Sequence, residues 1–256
     1  MLGAIIGDFI GSSWEGAEPF RFQGELANPA SSFTDDTVLT ITTAYAWATG
    51  QEPAAKYRET ILDYSSLGFS EALLNWAEGV DEQQHFNTGN GAAIRVSPVV
   101  LFADSLDHAI ELARTSAAAT HYHPLAILQA ELAGSASFLA HLNHSPSQIR
   151  RFAANRYAQI YRLPRLEQPW QWQSVTTAVD IACSTRSFES CMRACISAGG
   201  DVDSVCAMAG AISEGLWGCP PQLQTRVLDA LERQHPDLFR MLKVALAGRL
   251  QLPGSP

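Results

Sequence analysis

Residues 34–48 read TDDTVLTITTAYAWA, and this stretch decides the fold class. Val38, Ile41, Tyr45 and Ala48 recur at intervals of three and four, which puts them on one face of a helix. The same spacing returns at Ile110, Ala113 and Ala117, whereas strand-type alternation is hard to find anywhere in the chain. Pro53, Pro124, Pro146 and Pro220 mark helix starts, because proline fits the first turn, where its missing N–H costs nothing. Around ten helices are expected from typical helix and connection lengths. With no repeat period, low-complexity tract or long linker, residues 1–256 are expected to form a single-domain, all-α orthogonal multi-helix bundle. Tyr161 to Trp172, rich in proline and tryptophan, reads as a surface connection, and the amphipathic segments after Pro220 as helices that complete the core.

Composition narrows the function. A chain of 256 residues that is 46% hydrophobic and 17% charged can bury a sizeable core. Its net charge of −9 argues against general binding to nucleic acid or membrane surfaces, which need a positive field. A phosphate-bearing ligand must then be held locally, by backbone N–H groups, helix N-termini, single arginines or cations. Cys183, Cys191, Cys195, Cys206 and Cys219 lack CxxC spacing and read as reduced core residues. The opening MLGAIIGDFIGSSWEG has no basic leader and its apolar run is broken by Asp8, so neither a signal peptide nor a membrane anchor is expected, and the cytoplasm is the default location.

Five segments carry chemistry. Thr34-Asp35-Asp36-Thr37 precedes a helix and could be a cap, yet one acid would suffice for that. Gly199-Gly200-Asp201-Val202-Asp203-Ser204 is a second acidic turn ahead of a small-residue helical stretch, Val205 to Glu214. Together the two turns offer four carboxylates and several hydroxyls, enough hard oxygen ligands for one or two Mg²⁺ or Mn²⁺ ions. Gly3, Gly7 and Gly11, four residues apart, read as a close helix contact, and Glu15 follows them in a turn where its carboxylate can project toward a ligand. The loop Thr88-Gly89-Asn90-Gly91-Ala92-Ala93-Ile94-Arg95 can cradle phosphate or be an ordinary Asn-Gly turn. Thr120-His121-Tyr122-His123-Pro124 sits just before a helix and suits stacking or hydrogen bonding to a ligand better than metal binding, with a satisfied local turn as the plain alternative.

GDFIGSSWE, TDDT, GNGAAIR, THYHP and GGDVDS, in this order over residues 3 to about 215, resemble the ADP-ribosylglycohydrolase family. The resemblance implies an all-α fold whose cleft holds two divalent cations, Mg²⁺ or Mn²⁺, on Thr34, Asp35, Asp36, Asp201, Asp203 and Ser204. The family usually has threonine at the positions of Ser204 and Val202; Ser204 keeps a hydroxyl ligand, and Val202 is expected to face the protein. By the same resemblance Glu15 is the preferred catalytic acid or base, with Asp35 or Asp36 as the rival. Gly89, Asn90 and Gly91 match the phosphate loop, and His121 with Tyr122 or His123 the segment beside the distal ribose or adenine. The implied reaction is hydrolysis of the bond between ADP-ribose and a modified protein side chain, arginine by default, or a small ADP-ribosylated substrate. A non-catalytic binding relative, a hydrolase of another nucleotide-sugar glycoside and a structural metal module are the alternatives, and a monomer is expected.

Overall fold

The computed structural model describes residues 1–80, 89–158 and 170–248. The helices among them are α1 (Leu2–Gly11), α2 (Asp35–Thr49), α3 (Pro53–Asp63), α4 (Glu71–Ala77), α5 (Gly91–Ile94), α6 (Val99–Phe102) and α7 (Leu106–Ala118). Then come α8 (Pro124–His141), α9 (Pro146–Arg156), α10 (Trp170–Ser184), α11 (Phe188–Ala198), α12 (Val202–Trp217), α13 (Pro221–Gln234) and α14 (Pro236–Gly248). No strand occurs among the described residues, so the all-α expectation holds; the one extended pairing is an isolated antiparallel bridge between Ala17 and Gly200. No described helix is long and apolar enough to cross a membrane.

Local chemistry explains where the helices start. Pro53, Pro124 and Pro146 occupy the first turns of α3, α8 and α9. The fourth expected start moves by one residue: Pro221 is the first helical residue of α13, and Pro220 caps it in an extended conformation. Ser70, Ser105, Ser145 and Ser187 accept backbone N–H groups that the first turns of α4, α7, α9 and α11 would leave unpaired. Two boundaries differ from expectation. Helix α12 begins at Val202 rather than Val205, inside the acidic turn, and α10 begins at Trp170, inside the stretch read as a connection. Residues 161–169 of that stretch lie outside the described residues.

Helix α12 is the centre of the molecule. Every residue from Val202 to Ser213 is buried, and the helix meets α1, α8, α10 and α11 around its circumference. A helix apolar on all sides must be enclosed on all sides. Its closest neighbour is α1, and the contact follows from the glycine ladder: a methyl group on Gly3 would strike the carbonyl of Gly210, one on Gly7 the carbonyl of Cys206, and one on Gly11 the backbone of Asp203. The pairs 3–210, 7–206 and 11–203 run in opposite directions, so the helices are antiparallel and their register is set by backbone meeting backbone. Ile110, Ala113 and Ala117 are buried as expected, as are Val38 and Ile41; Val227, Leu231, Leu238 and Leu242 bring α13 and α14 onto the core. Cys183, Cys191, Cys195 and Cys206 are buried free thiols, and Cys219 is half-buried and free.

Candidate active site

The antiparallel register of α1 and α12 carries Asp8, one residue past Gly7, to the start of α12, where Asp203 lies in the first turn. Asp8 is 1% exposed and so needs hydrogen bonds to compensate for lost water. It finds them in the TDDT turn. Thr34 donates its backbone N–H at 3.1 Å and its hydroxyl at 2.7 Å, and Thr37 donates its backbone N–H at 3.2 Å and its hydroxyl. Thr34 in turn caps α2 by accepting the Asp36 N–H at 3.2 Å. The hydroxyls that flank the two acids are thus occupied in anchoring the turn, and the cap of α2 is Thr34 rather than either acid.

The result is a buried group of like charges. One carboxylate oxygen from each of Asp8, Asp36 and Asp203 falls within 4.8 Å of the other two. Ser204 donates to Asp36 at 3.4 Å and joins the two acidic turns, while Asp203 accepts the Ser204 N–H at 2.9 Å. Burial, and then the nearby Asp8, Glu15 and Asp201 carboxylates, push Asp35 up to about 7. Asp203 is pushed to about 8 by burial and then by Asp8, Asp201 and Glu15. Asp36 rises well above the ordinary range through burial and the charges of Asp35 and Asp203, and burial raises Asp8 against the opposing pull of its threonine donors.

Two glycines with left-handed backbones, Gly199 (φ +68°) and Gly200 (φ +78°), turn the chain between α11 and Asp201. That turn pairs with the one after α1: Gly16 donates to the Gly200 carbonyl and Gly200 to the Ala17 carbonyl, both at 2.8 Å. The bridge brings Glu15 beside Asp201. Glu15 is exposed and, with Gln173, Ser174, Thr177, Gly200 and Asp201, lines a cavity of about 700 Å³. Asp201 is the N-cap residue of α12 yet makes no cap bond; its Oδ2 accepts instead from Asn90 Nδ2 at 2.5 Å and Ser174 Oγ at 2.9 Å.

Of the residues singled out in the sequence, Glu15, Asp35, Asp36, Asp201, Asp203 and Ser204 come together, with Thr34 holding the turn. Asn90 reaches the group through its side chain, between Gly89 and the four-residue helix that Gly91 opens. Thr88 lies outside the described residues. Behind the loop, Arg95 is 1% exposed, donates to Ser116 and Thr120, and lies over the Tyr57 ring. Thr120 is paired with His121 Nδ1 at 2.7 Å, so the buried His121 is tied to the loop through Arg95. Tyr122 is 53% exposed, and His123 caps α8 by accepting the Leu125 N–H. Val202 is fully buried, facing the protein as expected.

Sequence reasoning missed Asp8 and Ser174. The signal for Asp8 was present: it is the sole charged residue of an apolar helix and lies between two packing glycines. Ser174 carried none.

The fold and these residues define an all-helical protein with a buried carboxylate cluster at the meeting of two helix N-termini, open to a cavity through Glu15 and Asp201. The chain belongs to the ADP-ribosylglycohydrolase family, whose model matches residues 1–254. That family consists of glycosidases acting on ADP-ribose conjugates. A solved structure of an ADP-ribosylglycohydrolase-related protein complex is similar in fold, with a TM-score of 0.73 at 23% identity over 97% of this chain and 96% of that one. Among curated proteins, no sequence matches.

Proposed function

We propose that the protein hydrolyses the glycosidic bond between the distal ribose of ADP-ribose and an acceptor, with ADP-ribosylated arginine as the default substrate by family analogy, in a cation-dependent reaction. The observation that carries this reading is the convergence of Glu15, Asp35, Asp36, Asp201 and Asp203, of which Glu15 and Asp201 line one cavity. The site fits a hard cation, because the buried carboxylate oxygens of Asp8, Asp36 and Asp203, within 4.8 Å of one another, repel unless protons or positive charge intervene. Thr34, Asp35, Asp36, Asp201, Asp203 and Ser204 would hold two ions, Mg²⁺ or Mn²⁺, whose chemistry when bound is to polarise oxygen ligands and orient the ribose diol and water.

The chain's own groups divide the remaining work. Asp8 holds Thr34 and Thr37 so that the neighbouring carboxylates keep their places. Glu15, exposed at the cavity edge and free of helical geometry, takes the proton of the attacking water or returns one to the leaving group; Asp35 and Asp36 are its rivals for that role. The acidic wall favours the positive charge that develops on the sugar as the bond breaks. Gly89, Asn90, Gly91, His121, Tyr122 and His123 are the proposed contacts for the rest of ADP-ribose. With the Asn90 side chain engaged by Asp201, its backbone is what the loop offers to phosphate.

The test is release of free ADP-ribose from arginine-, serine- and nucleic-acid-linked substrates with Mg²⁺, with Mn²⁺ and with chelator. Chelator-sensitive release supports the reading and identifies the acceptor. No release from any substrate overturns it in favour of another glycoside or a binding role.

A further inference from the structure

Asp201 stands where an aspartate ordinarily turns its carboxylate back onto the first N–H groups of its own helix. It makes no such bond. Two side chains from outside α12 hold it instead. Asn90, 9% exposed and 111 residues away in the chain, donates to Oδ2 at 2.5 Å, and Ser174, 3% exposed on α10, donates to the same oxygen at 2.9 Å. Both donors are buried, so each has given up water to make this contact. An oxygen gripped from two sides cannot rotate freely, and the carboxylate is held in one orientation.

We propose that Asn90 and Ser174 are positioning residues for Asp201: by engaging Oδ2 they orient the carboxylate so that Oδ1 is the oxygen offered to a divalent cation. This rests on the reading of Asp201 as a cation ligand. Carboxylate ligands are commonly steered by such outer hydrogen bonds, and loss of one weakens metal binding without unfolding the protein. The assignment gives Asn90 a role different from a direct phosphate contact and gives Ser174 a role that no motif announces. Because both donors act on one atom, their effects should not add.

The experiment is calorimetric titration of the full chain with Mn²⁺ alone, for wild type, Asn90→Ala, Ser174→Ala, Ser174→Thr and the double alanine variant, with melting curves in chelator alongside. Each alanine variant is expected to lose about 10- to 100-fold in Mn²⁺ affinity while its metal-free melting temperature stays near that of wild type. Ser174→Thr, which keeps the hydroxyl, should recover most of the loss, and the double variant should lose less than the product of the two single effects. Wild-type affinity in both alanine variants overturns the inference and leaves the metal reading standing. Failure of the wild type to bind Mn²⁺ overturns both. A loss of affinity matched by a general drop in melting temperature, with no recovery in Ser174→Thr, assigns the two residues to structure and overturns the inference.

Discussion

The carboxylate of Asp8 grips Thr34 twice, taking its backbone N–H at 3.1 Å and its hydroxyl at 2.7 Å. The same carboxylate takes both donors of Thr37, so a single acid on the first helix holds the start of α2 in place. The turn that presents Asp35 and Asp36 is therefore fastened from beneath by a side chain belonging to the glycine ladder.

Replacing Asp8 by asparagine keeps the shape but turns an amide N–H₂ toward groups that already donate. The variant should lose about 3 kcal/mol of stability, the scale of a lost charge-assisted hydrogen bond with its partner left unpaired. Urea denaturation measures the loss, and Mn²⁺ titration should show weaker binding in whatever fraction folds. Stability equal to wild type would mean that the threonines find other acceptors.

The ladder itself is the next point of failure. Gly7→Ala places a methyl group against the Cys206 carbonyl, a backbone atom that cannot step aside. Separation of α1 from α12 should cost about 3 kcal/mol, at the upper end for an overpacked core. It should also move Asp8 away from Asp203. Gly16→Ala meets no neighbouring atom, though it carries the strain of a positive φ, and should cost about 1 kcal/mol. Equal losses in the two variants, read by urea denaturation, would remove the close contact as the explanation.

The metal-free protein should lose stability as pH rises from about 4 to about 8. In that window the unfolded chain has already released the protons of Asp35 and Asp203, while the folded state retains them until about 7 and about 8. Their stabilising contribution is complete below the unfolded pKa and is gone once pH passes the folded value. Mn²⁺ at about 100 times the Kd it shows at about pH 6.5 should restore about 2.7 kcal/mol there, and the same concentration should restore more at about pH 8, because binding displaces protons. Denaturation at pH 5, 6.5 and 8, with chelator and with Mn²⁺, checks both slopes; a flat chelator profile counts against the cluster.

Glu15→Gln should separate binding from turnover. The side chain is exposed and keeps its size, so Mn²⁺ affinity should stay within about threefold of wild type, while kcat falls by roughly 10² to 10⁴ if Glu15 moves the proton. Asp35→Ala and Asp201→Ala should lose metal and activity together. Full activity in all three variants would dismantle the proposed site.

Much of this was readable along the chain. The period of three to four residues in α2 and α7 reports helix locally, because one turn brings those positions onto one face wherever the helix ends up. Proline at the first turns of α3, α8 and α9 acts through its own ring, and the two acidic turns could be found by residue type and order. The errors were also local. α12 begins at Val202, three residues earlier than expected, and its small and β-branched residues stay helical inside an enclosure of four neighbouring helices, a condition that spacing alone does not report. What tertiary structure alone decided is which of these pieces meet. Asp8 and Thr34 are 26 residues apart and Asn90 and Asp201 are 111 apart, and no period in the chain connects them. Asp8 joins the cluster because glycine backbones set the antiparallel register of α1 on α12, and Glu15 because the bridge between Ala17 and Gly200 pins its turn. Helix formation is written in neighbours three and four residues away; the site is written in the contacts between helices, which exist only once the core has closed.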